Sequence, residues 1–159
     1  MTVRLLTLAI AAMTVAACGA TSPAASSQPV GPAVVELSSV QGQVEGKPTV
    51  YLFTAPGCVS CATQARALAD AAQGRPSIHL VGVDLTNDKP SSFASWVREI
   101  GLAGLPFVWT IDRDGSLARR YGIVSLGSTV FVGSDGRVRF VNPGPADPQT
   151  LSNQLSQLS

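Results

Sequence analysis

The stretch Lys47-Pro48-Thr49-Val50-Tyr51-Leu52-Phe53-Thr54-Ala55-Pro56-Gly57-Cys58-Val59-Ser60-Cys61 decides how the rest of the chain is read. Thr49–Thr54 is β-branched and aromatic with no polar alternation, the signature of a strand buried on both faces. Pro56-Gly57 breaks it. From Cys58 to Gln73 the small and apolar residues Cys61, Ala62, Ala65, Leu68, Ala69 and Ala72 fall on one helical face, and Gly74 ends the run. A buried strand, a tight turn and a helix opening on a cysteine pair thus follow one another within about 25 residues.

Outward from this unit the chain alternates. Ile78–Leu85 is a short apolar run suited to the middle of a parallel sheet. After Pro90, the residues Phe93, Trp96, Val97 and Ile100 mark a helix that Gly101 closes. Pro106–Ile111 reads as a further strand and Asp112-Arg113-Asp114-Gly115 as a turn. Thr129–Val132 and Arg137–Val141 flank Gly133-Ser134-Asp135-Gly136, a hairpin signal. Asp147 caps and Pro148 opens a last helix with Leu151, Leu155 and Leu158 on one stripe. The order β-α-β-α-β, then hairpin, then helix predicts an α/β domain with a mixed sheet over residues 34–159. Trp96 and Trp109 sit in patterned segments and are expected to pack in the core. His79, inside an apolar strand, is expected to be a satisfied core or strand-end residue.

The chain has 159 residues, 11 basic and 10 acidic, with three cysteines and one histidine. Up to Val35 the only charge is Arg4. Residues 1–17 read as a leader: Arg4, then an uncharged Ala- and Leu-rich run shorter than the roughly 20 residues a membrane span needs. Without that leader ten basic residues balance ten acidic ones, so no basic face for nucleic acid is expected. The leader ends Val15-Ala16-Ala17-Cys18, which resembles the lipobox of bacterial lipoproteins. That resemblance implies cleavage before Cys18 and lipidation of its sulfur, hence an anchor on the outer side of the cell membrane. Residues 18–33, rich in Ser, Ala and Pro and without charge, are expected to form a flexible tether.

The chemistry centres on Cys58 and Cys61. At i, i+3 on a helix the two lie within disulfide range, and a sulfur at the helix N-terminus is favoured as thiolate, the form that attacks disulfides. Cys61, one turn inward, is expected to be more buried and to resolve the mixed disulfide. Other uses stay open at this level. A structural disulfide closing so small a loop stabilises little. A zinc site needs two more ligands, with only His79 and acidic side chains available. Two inert thiols would be out of place in an exported chain.

Residues Gly46–Cys61, the stretch Arg98–Ile123 and the stretch Gly127–Val138 together resemble, in order, the TlpA-like thioredoxin family, across about residues 45–141. The resemblance implies a thioredoxin-like fold and extracytoplasmic thiol–disulfide exchange, with Cys58 as nucleophile and Cys61 as resolver. It implies Gly127 and Ser128 in the substrate loop and no cofactor. The implied partners are exported protein disulfides or dithiols and a DsbD/CcdA-type membrane reductant, with the domain acting as a monomer.

The departures from the family bear on function. Gly57 replaces the usual Trp, Ser60 the usual Pro, and Leu52 the buried Asp of thioredoxin. Gln64 stands where members that reduce apocytochrome c carry Glu, and an amide cannot relay a proton. Gly127 stands at the cis-proline position, where a trans peptide and a less fixed loop are expected. Losing that proline weakens a barrier to metal at the sulfurs, so a Cu(I) carrier is the rival reading. A non-catalytic thioredoxin-like binding module is the other. A thiol peroxidase fits poorly, because Thr54 lies four positions before Cys58 and not three.

Overall fold

The computed structural model describes residues 34–36 and 46–158. The leader, Cys18 and the tether expected over residues 1–33 lie outside them. Ten elements follow in order: β1 (Val34–Glu36), β2 (Thr49–Thr54), α1 (Val59–Ala71), β3 (His79–Asp84), α2 (Pro90–Glu99), β4 (Phe107–Ile111), α3 (Ser116–Tyr121), β5 (Thr129–Val132), β6 (Val138–Asn142) and α4 (Pro148–Ser156). They form one six-stranded mixed sheet, ordered β1-β4-β3-β2-β5-β6, of the thioredoxin-like type.

β2 is buried at every position because it lies inside the sheet. It runs parallel to β3, from Thr49 opposite His79 to Thr54 opposite Asp84, and antiparallel to β5. Alternate residues of β2 feed two cores. Val50 and Leu52 pack with Ala62, Ala65 and Leu68 of α1, Phe93 and Val97 of α2, and Leu151 and Leu155 of α4. Tyr51 and Phe53 pack on the other face with Val81, Val83, Val130 and Leu117 of α3. Trp109 of β4 is 1% exposed and is the largest buried side chain of the first core. It lies across Gly82 of β3, where a Cβ would meet the indole ring at 2.2 Å. Glycine is required there by that close approach.

Two elements exceed the sequence expectation. No strand was expected before Thr49, yet Val34–Glu36 pairs in parallel with Trp109–Ile111. No element is expected between the Asp112–Gly115 turn and Thr129, yet Ser116–Tyr121 forms α3. Both oxygens of Asp112 accept backbone N–H groups of that helix, from Leu117 at 3.2 Å and Ala118 at 2.8 Å. A six-residue helix is marginal alone, and this carboxylate from outside it supplies two of the missing acceptors.

Candidate active site

The site is built where β2 stops. Chain reversal at Pro56-Gly57 needs a left-handed residue, and Gly57 takes φ +85°. The turn is closed by Cys58 N–H donating to the Ala55 carbonyl at 3.1 Å. Cys58 is then the N-cap of α1, with its Sγ accepting from the Cys61 N–H at 3.3 Å. A cap residue ordinarily offers an oxygen here, and the sulfur takes its place. Cys58 and Cys61 form a disulfide with Cα atoms 5.3 Å apart.

The two sulfurs differ in surroundings. Cys58 is partly exposed, whereas Cys61 is 1% exposed. The Ser60 hydroxyl lies 3.5 Å from the Cys58 Sγ and can donate to it. An N–H, a hydroxyl and the positive end of α1 therefore converge on the accessible sulfur and favour its ionised form once reduced. The Cys61 Sγ faces the Phe53 carbonyl at 3.9 Å. Cys61 is the more buried of the two, as the sequence leads one to expect. The sequence does not reveal Ser60 as a donor, because nothing local shows where that hydroxyl points.

The loop of Gly127 and Ser128 reaches the same carbonyl. Gly127 N–H donates to the Phe53 oxygen at 2.8 Å, and Phe53 N–H donates to the Ser128 carbonyl at 2.9 Å. One oxygen thus accepts from the loop and faces the Cys61 sulfur. The peptide bonds of the described residues are all trans, and Gly127 holds φ +79°. The loop is pinned, and not loose as expected. Ser128 donates to the Ser125 carbonyl at 2.7 Å, Ser125 bonds the Pro143 carbonyl, and Pro145 lies against Gly127. Gly127 and Ser128 are themselves buried, and the accessible side chains beside them are Leu126 and Val124.

Gln64 is buried and its Oε1 accepts the Ala146 N–H at 3.2 Å, tying α1 to the segment before α4. Its amide has a structural use at the position where a carboxylate could relay protons. Thr54 is buried with its hydroxyl unpartnered, so it makes no hydrogen bond to Cys58. His79 opens β3, at the opposite end of the strand pair from the disulfide, as a strand-end residue. Among the described residues no group of three or more His, Cys, Asp or Glu is placed to hold a metal ion. Trp109 is core, as expected. Trp96 packs on Phe93 at 5.8 Å between ring centres but also lines a groove beside Cys58.

Residues 19–141 match the AhpC/TSA family. This chain belongs to that family. Within it, the Cys58–Cys61 pair sits in the framework of the thioredoxin-like thiol–disulfide oxidoreductases. The soluble secreted antigen MPT53 of Mycobacterium tuberculosis is 31% identical over 118 residues, 73% of this chain and 66% of the antigen. The chain thus spans just under two thirds of the length of that curated relative. Among solved structures, M. tuberculosis DsbF in mixed oxidised and reduced forms has a TM-score of 0.61 at 27% identity, covering 72% of this chain and 83% of DsbF. A secreted M. tuberculosis disulfide oxidoreductase homologous to E. coli DsbE has a TM-score of 0.59 at 29% identity, covering 72% and 84%.

Proposed function

We propose that this AhpC/TSA-family chain is a TlpA-like thiol–disulfide oxidoreductase working outside the cytoplasm, tethered to the membrane through a lipid on Cys18, with the reductase direction favoured because Val59 and Ser60 bring neither a charge nor an imidazole to the Cys58 thiolate. The observation that carries the reading is the asymmetry of the pair. Cys58 is accessible and surrounded by donors, and Cys61 is buried one turn behind it against the Phe53 carbonyl. In the reduced state the Cys58 thiolate attacks one sulfur of a substrate disulfide, and the other substrate sulfur leaves as a thiolate and takes up a proton. Cys61 then loses its proton and attacks the Cys58 Sγ, expelling the second substrate sulfur. Two electrons pass from the cysteine pair to the substrate, and the Cys58–Cys61 disulfide remains. A dithiol donor of the DsbD/CcdA type restores it.

Export is supported by the leader and by relatives described as secreted. The lipid anchor is supported by the Val15–Cys18 motif. Alkyne-palmitate labelling of cells tests it, and an unlabelled chain removes the anchor. The redox reading is tested by insulin reduction with dithiothreitol as donor, together with a glutathione titration of the Cys58–Cys61 pair. Wild type is expected to turn over and Cys58→Ser to be inactive. No turnover by wild type overturns the reading. Copper retained near stoichiometry after reducing purification would favour the carrier instead.

A further inference from the structure

A groove of about 360 Å³ runs from Cys58 between α1 and α2. Cys58, Val59, Ala62 and the exposed Thr63 form its near side, Trp96 of α2 and Ile100 at that helix's C-cap its far wall, and Arg66 also lines it. Arg66 donates to the Ile100 carbonyl at 2.6 Å, a bond that crosses from one helix to the other while the residue stays exposed. Val59, the residue next to the reacting sulfur, is 80% exposed. Trp96 has its inner ring face stacked on Phe93 and is only partly buried. The volume is at the small end of ligand pockets and suits one large side chain with its backbone, not a folded element.

We propose that this groove is the specificity subsite of the thiol–disulfide exchange, taking a bulky apolar side chain next to the target cysteine of an extended substrate polypeptide. Arg66 would then select an acidic residue one or two positions further on. The inference rests on the oxidoreductase reading. Its geometry follows from continuity: the groove begins at the sulfur that becomes covalently bound to the substrate. The next residue of an extended segment lies only about 3.3 Å further along, so a segment running towards α2 brings its side chain over Val59 and into the groove. Apolar walls reward the burial of Leu, Met or an aromatic ring, and the single cation among the lining residues complements a carboxylate.

The test uses the reduced full chain in detergent and short peptides whose cysteine forms a mixed disulfide with thionitrobenzoate. Attack by Cys58 on the peptide sulfur releases thionitrobenzoate, read by absorbance. Peptides with Gly, Leu or Trp beside the cysteine are compared, with and without a following Glu. Each rate is divided by that of dithiothreitol with the same peptide. Wild type is expected to favour Leu and Trp over Gly by about tenfold, as partial burial of one large side chain allows. Trp96→Ala, which empties the far wall, and Thr63→Trp, which fills the groove from an exposed position, are expected to reduce that ratio to below about twofold. Arg66→Glu is expected to convert any gain from the Glu into a loss. Turnover without preference in wild type, or a preference that survives both Trp96→Ala and Thr63→Trp, overturns the subsite. A dimer that Arg66→Glu dissolves would assign the groove to a second copy and also overturn it. No release from any peptide means that the oxidoreductase reading itself has failed, and the subsite with it.

Discussion

In the resemblance to the TlpA-like thioredoxins Gly127 stands at the cis-proline position, so Gly127→Pro would introduce the residue that the resemblance implies. The structure requires it to be damaging. Gly127 holds φ +79°, whereas proline fixes φ near −65°. Its N–H donates to the Phe53 carbonyl at 2.8 Å, and proline has no N–H. A Cβ there would lie 3.1 Å from Cδ and Cγ of Pro145. Losing the hydrogen bond costs about 0.5–1.5 kcal/mol. The backbone conflict has no local remedy and adds about 1–3 kcal/mol. The expected loss is therefore about 2–4 kcal/mol, a large share of the roughly 5–15 kcal/mol that holds a typical domain. Gly127→Ala keeps the N–H and meets only the left-handed backbone and the Pro145 contact, so about 1–2 kcal/mol is expected.

Urea unfolding of the oxidised proteins, followed by far-ultraviolet circular dichroism, measures both variants against wild type. The order wild type, then Gly127→Ala, then Gly127→Pro is expected, with unchanged m-values. A Gly127→Pro protein as stable as wild type would refute the reasoning, because the loop would then accept the family's proline geometry without its bond to Phe53. A Pro145→Ala variant supplies a check. Its effect and that of Gly127→Ala are expected to be less than additive, since the two residues share one contact.

Three further expectations follow from the same contacts. Ser60→Ala removes the hydroxyl 3.5 Å from the Cys58 sulfur, and iodoacetamide alkylation of the reduced protein at neutral pH is expected to slow about three- to tenfold; an unchanged rate removes Ser60 from the site. Gly82→Ala drives a methyl into the Trp109 ring, 2.2 Å from the new carbon, and is expected to cost about 1–3 kcal/mol in thermal unfolding. Burial pushes the Tyr51 hydroxyl above the ordinary tyrosine range, with Tyr121 adding to the shift. A proton held more tightly in the folded state gives stability that is complete below about pH 10 and is lost as pH rises beyond it. Tyr51→Phe removes the ionising hydroxyl altogether, so it is expected to blunt the alkaline unfolding of the domain.

What the sequence disclosed was what neighbouring residues decide. Thr49–Thr54 matches its strand to the residue, because five β-branched or aromatic residues and one leucine in a row leave no other burial. The last helix begins as read, with the Asp147 carboxylate accepting from the Thr150 N–H at 2.9 Å. α3 escaped notice because its stabilising carboxylate, Asp112, lies in the turn before it and was accounted for as turn chemistry. β1 escaped because three residues carry no period, and their pairing partner lies more than seventy positions away. Trp96 was correctly placed on the apolar stripe of α2, but a stripe says nothing of which edge faces another helix across a groove.

The departures from the family show the same division in the site itself. Gln64 and Gly127 could each be read as a missing group, a lost carboxylate and a lost proline, and taken alone each predicts a weaker site. In the folded chain both are contact points for one segment. Gln64 accepts from Ala146, and Gly127 lies under Pro145. The Pro143–Ala146 segment therefore fastens α1 and the loop together from the α4 side, and the Phe53 carbonyl holds that loop from the β2 side while facing the Cys61 sulfur. A proline in the loop would bring its own rigidity but no donor, so it could not make the Phe53 bond. Glycine makes that bond and leaves room for Pro145. The two replacements thus form one arrangement whose partners lie 82 positions apart at Gln64 and Ala146, beyond the reach of any local reading.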